Sequence, residues 1–372
     1  MRITIDATTL LLRSAGIKSY TYYWMKALRQ IAGDDSIRGY PFLNQLGELH
    51  HDRSMVPFGT TYPRLAMLYA TNLAGPAVLD TLIRGSDIFH ASNQIHHAPR
   101  KSLLTATIHD LTCWKMPELH TAANVAADQR FAGRILKQAH GLIAVSDATR
   151  DDAIELLGID EDRIETIHSG VSEAFFHVSV EEVLAIKEDL GLDKPYALFV
   201  GTVEPRKNLD RLLDAWLGLP GDLRQEFELV IAGPIGWAPE TEKRLSAGAT
   251  GIRRLGYIAE EALPALTAGA LIFAYPSIYE GFGFPVAQAM AAGVPVLTSD
   301  ISALPEVTGG DAALVDPLSV NEIRSALRQL LTSPSMREDL AIRGKERAQN
   351  YRWTKCARRS MLFFERVLGQ GR

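Results

Sequence analysis

The sequence predicts an α/β protein of two doubly wound domains. Short apolar or β-branched runs alternate with amphipathic stretches along nearly the whole chain. The runs are apolar throughout instead of alternating with polar residues, as parallel strands covered on both faces require. A length of 372 residues suits two domains better than one.

In the first half, strands are expected at Arg2–Asp6, Asp87–His90, Leu104–His109, Gly141–Val145 and Arg163–His168. Between them, Ile17–Ile31, Val125–Gln138 and Asp147–Leu157 carry helical periodicity. The alternation pauses between Val171 and Pro195, where a charged helix over about 181–190 precedes a new strand. A boundary there gives a first domain of residues 1–172 and a second of 173–352. Strands follow at Tyr196–Val200, Glu228–Ala232, Ala270–Tyr275 and Val294–Thr298, with helices at Leu209–Leu217 and Val286–Ala292. From about Asn321 the chain turns wholly helical. Its last segment, 353–372, places Met361, Phe364 and Val367 at helical spacing, with Leu362 and Leu368 nearby. Strand–helix alternation of this kind makes right-handed crossovers, which put ligands at the carboxyl ends of the strands.

Composition narrows the function. The net charge of −5 supplies no global positive field, which argues against a dedicated nucleic-acid binder. Two cysteines cannot form a disulfide framework, and the N-terminus reads as a strand and not as a signal peptide. A cytoplasmic protein is expected, with contact at a membrane surface left open. There is no GxxxxGK[ST], GxSxG or HExxH. Asp160-Glu161-Asp162 falls between a helix and a strand and reads as a polar turn, so no metal is expected.

Four strand-end segments carry chemistry. Gly201-Thr202-Val203-Glu204-Pro205-Arg206-Lys207-Asn208 places two cations before a helix, with Asn208 as its cap. Cations there oppose the helix dipole, and a bound phosphate would explain them. In Tyr275-Pro276-Ser277-Ile278-Tyr279-Glu280-Gly281-Phe282-Gly283-Phe284-Pro285, the glycines admit close backbone approach and Glu280 can accept sugar hydroxyls. Thr107-Ile108-His109-Asp110 offers a histidine able to donate a proton or hydrogen bond. Ser14-Ala15-Gly16-Ile17 is a glycine loop opening a helix.

Taken with Val145-Ser146-Asp147, His168-Ser169-Gly170-Val171, Gly293-Val294-Pro295-Val296 and Leu304-Pro305-Glu306-Val307, these segments resemble the family 4 retaining glycosyltransferases over nearly the whole chain. The nearest subgroup comprises bacterial mannosyltransferases that build surface polysaccharides. The resemblance implies the GT-B fold: two Rossmann-like domains facing a cleft, with the C-terminal helix crossing back to the first domain. It implies a nucleotide-diphosphate sugar donor held by Gly201, Arg206, Lys207, Glu280, Gly281, Phe282, Gly283 and Phe284. His109 would reach the donor sugar, Gly16 the phosphates or acceptor, Tyr257 and Ile258 the base, and Glu306 the nucleotide side. Arg206 and Lys207 would neutralise the leaving diphosphate without a metal cofactor. Two departures stand out: the family's second glutamate, eight residues after Glu280, is Gln288 here, and Thr202 stands where many relatives carry arginine. Gln288 also motivates a non-catalytic nucleotide-sugar binder as the alternative, and an epimerase or hydrolase on the same fold is another.

On the acceptor side, Asp110, Arg130 and Arg134 are candidates, with Lys137 continuing a basic stripe at helical spacing. With the Leu-, Met- and Tyr-rich stretch 62–83, the stripe suits a polyprenyl-pyrophosphate-linked acceptor or an anionic membrane surface. A solvated helix face over ordinary core packing fits it equally.

Overall fold

The computed structural model describes residues 1–14, 16–51 and 53–371; Ala15, Asp52 and Arg372 lie outside them. The chain divides into two compact units, Met1–Gly170 with Trp353–Arg372, and Val171–Arg352.

The first unit holds six parallel strands: β1 (Ile3–Asp6), β2 (Ile37–Tyr40), β3 (Ile88–Ala91), β4 (Leu103–Ile108), β5 (Gly141–Ala144) and β6 (Ile164–Thr166). Their spatial order is β2-β1-β3-β4-β5-β6. The second unit holds β7 (Tyr196–Val200), β8 (Glu228–Ala232), β9 (Ile252–Gly256), β10 (Ile272–Tyr275), β11 (Val296–Ser299) and β12 (Ala313–Val315), ordered β12-β11-β10-β7-β8-β9 and again parallel. Strand order reverses between β1 and β3 in the first sheet and between β7 and β10 in the second. Those reversals open a crevice at the carboxyl edge of each sheet.

Three strands escape the sequence pattern: β2, β9 and β12. All three are edge strands, which need not be apolar along their length. β9 even carries Arg253 and Arg254, which pair with Glu228 and Glu242 at its flank.

The helix Trp353–Gln370 packs on the first unit. Trp24 Nε1 donates to Ser360 Oγ at 2.9 Å, and a Cβ at Gly141 would meet Val367 at 2.6 Å. Its buried face is Trp353, Cys356, Ala357, Ser360, Phe363, Phe364 and Val367. The expected stripe lies on this face, with Phe364 and Val367 buried, while the adjacent Leu362 is 66% exposed. The neighbouring Phe363 turns inward because it fills the space that Gly141 leaves. A correction concerns the basic stripe. The helix Ala122–Arg134 ends before Lys137, which sits on a separate 3-10 turn, Leu136–Gln138, so only Arg130 and Arg134 share its exposed surface.

Candidate functional site

In the second unit, the segment after β7 meets the segment after β10 at the strand-order reversal. Arg206 donates through one Nη to the Tyr279 carbonyl at 2.6 Å and through the other to Glu204 Oε1 at 2.6 Å. Its guanidinium also lies 3.1 Å from Glu280 Oε2. Lys207 Nζ donates to Glu280 Oε1 at 2.7 Å, and the same oxygen accepts from Ser277 Oγ at 2.8 Å and Tyr275 Oη at 3.0 Å. The Lys207 ammonium stands 5.1 Å from the centre of the Tyr275 ring. Glu204, Arg206, Lys207 and Glu280 thus form one charge-balanced cluster.

The cations are not left uncompensated, because Glu204 and Glu280 neutralise them. The Glu280 side chain is 8% exposed, and three donors share one of its oxygens. Burial alone would raise its pKa, but Arg206, Lys207 and Ser277 hold it down at about 2. Glu280 is a positioning residue that fixes two cations. Burial works on Lys207 in the opposite sense, lowering its pKa against the raising influence of Glu280. With Glu280 ionised beside it, we take Lys207 as an ammonium.

Asn208 departs from its expected role as well. It occupies the first position before the helix Leu209–Leu217, in a left-handed conformation, yet its side chain makes no cap. Its Nδ2 instead donates to the Pro276 and Pro317 carbonyls, tying the cation loop to two later strand ends. Ser277, Ser302, Gly233 and Gly236 complete the arrangement. Ser277 holds Glu280, and Ser302 Oγ accepts from the Glu280 amide at 3.0 Å. Gly233 and Gly236 let their loop pass the Gly201–Val203 backbone so closely that a Cβ would lie 2.0 and 2.4 Å from its carbonyls. Their only signal in the sequence is a glycine pair after β8.

The turn Gly281–Gly283 leads into the helix Phe284–Ala291. Gly283 has φ +91°, and a Cβ there would strike Leu304 at 2.7 Å, so glycine is required. Phe284, Pro285 and Gln288 are the partly exposed positions of that helix; the rest are buried. Gln288 therefore shares the accessible side with the first helical turn. Tyr257, 51% exposed, and Ile258 follow the carboxyl end of β9. Glu306 lies on the helix Leu304–Thr308, its carbonyl accepting from Arg347.

In the first unit, a cavity of about 110 Å³ opens at the β1/β3 reversal. Its walls include Asp6, Ser92, His90, His109, Asp110 and Asp128. His90 is buried between Thr105 Oγ1 and Thr107 Oγ1, each 3.0 Å away. His109 stands edge-on to Tyr20, with ring centres 4.7 Å apart. Burial takes the His109 pKa down to about 4 despite Asp110 beside it. At neutral pH His109 is thus an uncharged imidazole able to make a hydrogen bond. Asp110 Oδ1 accepts from the Thr112 amide at 3.0 Å, which shapes the turn after β4. Gly16 opens the helix Gly16–Ala32, and a Cβ on it would meet nothing within 4 Å. Arg130 and Arg134 are exposed near His96, whose pKa is lowered by burial and then by these two cations.

Residues 16–175 match the family described as Glycosyltransferase Family 4, and residues 181–347 match the one described as Glycosyl transferases group 1. The chain is 36% identical over 272 residues to O-antigen chain mannosyltransferase B of Escherichia coli, covering 70% of this chain and 71% of that one. It is 30% identical over 241 residues to the serotype-specific mannosyltransferase WbdA of the same organism, covering 62% of this chain but 29% of that longer protein. Among solved structures, sucrose-phosphate synthase from Thermosynechococcus elongatus superposes with a TM-score of 0.75 at 19% identity, covering 100% of both chains. WaaG, a glycosyltransferase involved in lipopolysaccharide biosynthesis, gives 0.70 at 14% identity, covering 97% of this chain and 98% of that one. These two show the fold, that of the GT-B class.

Proposed function

Because this chain belongs to glycosyltransferase family 4, we propose that it moves a hexose from a nucleotide-diphosphate sugar to a saccharide or polyprenyl-pyrophosphate-linked saccharide during surface polysaccharide synthesis. Mannose from GDP-mannose is the first choice, since the most similar curated relatives reported above are mannosyltransferases. The transfer retains anomeric configuration and uses no metal.

One observation carries the reading: Arg206 and Lys207 are locked by Glu280 and Glu204 at the strand-order reversal of the second sheet. As the bond between the anomeric carbon and the diphosphate lengthens, negative charge accumulates on the departing oxygens. Two cations already held in place stabilise that charge without reorganising, and this is where most of the rate acceleration arises. They take over the work a divalent ion does elsewhere. The amides of Gly281–Phe284 add donors at a helix N-terminus. Gln288 offers a carbonyl to a ribose hydroxyl where a charged acceptor would bind more firmly. His109, as a neutral imidazole, offers one N–H to a substrate hydroxyl.

The test is a thermal-shift panel of GDP-, UDP-, ADP- and dTDP-sugars with and without magnesium, followed by turnover with a saccharide acceptor. GDP-mannose should stabilise the protein most, and magnesium should change nothing. Lys207→Ala should cut turnover about 100-fold or more, the loss expected when one preorganised charge stabiliser is removed. Unchanged turnover in that variant would remove the cation pair from the chemistry.

A further inference from the structure

The loop that follows β8, residues 233–238, holds an indole out into solvent. Trp237 is 49% exposed and Ile235 62%, while the next residue, Ala238, is buried. The backbone beneath them is fastened on two sides. The Val203 amide donates to the Pro234 carbonyl at 3.1 Å, and Val203 pairs with Ile235 as a parallel bridge. The Gly233 amide donates to the Gly256 carbonyl at 2.7 Å. One side is therefore tied to the segment leading to Arg206 and Lys207, and the other to the residue before Tyr257. An aromatic ring left half-exposed on a fixed backbone, at the carboxyl end of a parallel strand, stands where ligands of such sheets bind.

Strand order says which part of a ligand reaches it. The sheet runs β10-β7-β8-β9, so its carboxyl edge presents Glu280, then Arg206 and Lys207, then Trp237, then Tyr257. Neighbouring strands lie about 5 Å apart, so β8 and β9 run about 5 and 10 Å from the strand that carries the cations. A nucleoside diphosphate has its parts in the same order: two phosphates, a ribose and a flat base. On the β10 side Tyr279 and Phe282 are buried, which leaves the β8 and β9 ends to receive the base. The cation cluster meets every nucleoside diphosphate alike, because all share the diphosphate. Discrimination between bases falls to the edge beyond it.

Resting on the nucleotide-sugar reading above, we propose that Trp237 is the specificity-determining residue for the donor's base, its indole stacking on a purine in preference to a pyrimidine. Every base has a π-face, so any of them can stack on an aromatic side chain. The overlap grows with ring area, and a two-ring indole covers a two-ring purine more fully than a single ring.

Calorimetry of the full chain with GDP and with UDP tests it. The wild type should bind GDP more tightly. Trp237→Ala should weaken GDP binding about 10-fold or more, within the range that one stacked base loses with its aromatic partner. UDP should lose less, so the ratio of the two affinities falls towards one. Trp237→Phe, which keeps a smaller ring, should fall between the two proteins. A melting temperature unchanged in both variants shows that the exposed indole is not needed for folding. The proposal is overturned by unaltered GDP affinity in Trp237→Ala, by equal losses for both nucleotides, or by a wild type that prefers UDP. An effect confined to the KM of the saccharide acceptor would also overturn it and assign the indole to that sugar. A wild type that binds neither nucleotide would instead bring down the nucleotide-sugar reading itself, and the role of Trp237 with it.

Discussion

The crevice in the first sheet and the crevice in the second arise from the same topology, a reversal of strand order, but they treat charge in opposite ways. Around β1, β3 and β4, burial drives titratable groups towards their neutral forms: Asp6 is raised, His90 falls to about 3 and His109 to about 4. Around β7 and β10, the carboxylate of Glu280 is held ionised at about 2, because two cations outweigh its burial. Burial costs an isolated charge several kcal/mol, and only a well-bonded partner recovers that cost. In the first crevice His90 has only hydroxyls as partners and burial prevails, so it stays neutral. The second has guanidinium and ammonium, so its carboxylate stays charged. A preorganised ion cluster of that kind suits a diphosphate.

Glu280→Ala is the sharpest way to break the contrast. It strands Arg206 and Lys207, 15 and 12% exposed, without their shared carboxylate. A loss of about 3–5 kcal/mol in the stability of the second unit is expected, read as an earlier denaturant midpoint. A loss below about 1 kcal/mol would mean that solvent reaches the cluster freely.

Acid should separate the two units. A histidine whose folded pKa is depressed stabilises the fold above its unfolded value of about 6.5 and loses that contribution as pH falls towards the folded value. His90 and His109 both act in this sense between pH 6.5 and about 4. Asp6, being raised, offsets part of the loss. Glu280 stabilises fully above its ordinary 4.5 and loses its share only as pH falls from there towards 2. The shift corresponds to roughly 3 kcal/mol. Pulsed hydrogen exchange should therefore show β3 and β4 opening at a higher pH than β7 and β10. The reverse order would mean that the buried histidines do not control the first unit.

The smallest effect concerns Gln288→Glu. Replacing a neutral acceptor with a charged one should tighten donor binding by roughly 1–2 kcal/mol, measured by calorimetry. No change would place Gln288 outside the ribose contact despite its accessible position on the Phe284–Ala291 helix.

Much of the fold is legible in the residues alone. The central strands announce themselves because burial on both faces forces continuous apolar runs, and Tyr196–Val200 and Glu228–Ala232 form strands over the expected residues. Strand-end glycines and the Arg206–Lys207 pair are visible as a local motif. The edge strands are not, since exposure relaxes the demand on their side chains. Nor is the exposed face of the helix Phe58–Ala74, with Tyr62, Tyr69 and Leu73, because periodicity reports an apolar stripe without saying whether it faces in or out.

Sequence by itself determined the alternation of strand and helix, the residue types at each strand end, and hence the family. Tertiary structure alone decided strand order, and with it that β10 lies beside β7. That adjacency brings Lys207 onto Glu280, 73 positions away, and makes this carboxylate the anchor of two cations. Pairing over such a separation depends on which crossovers close, and on the burial of every charge that closing entails. No local pattern encodes either one.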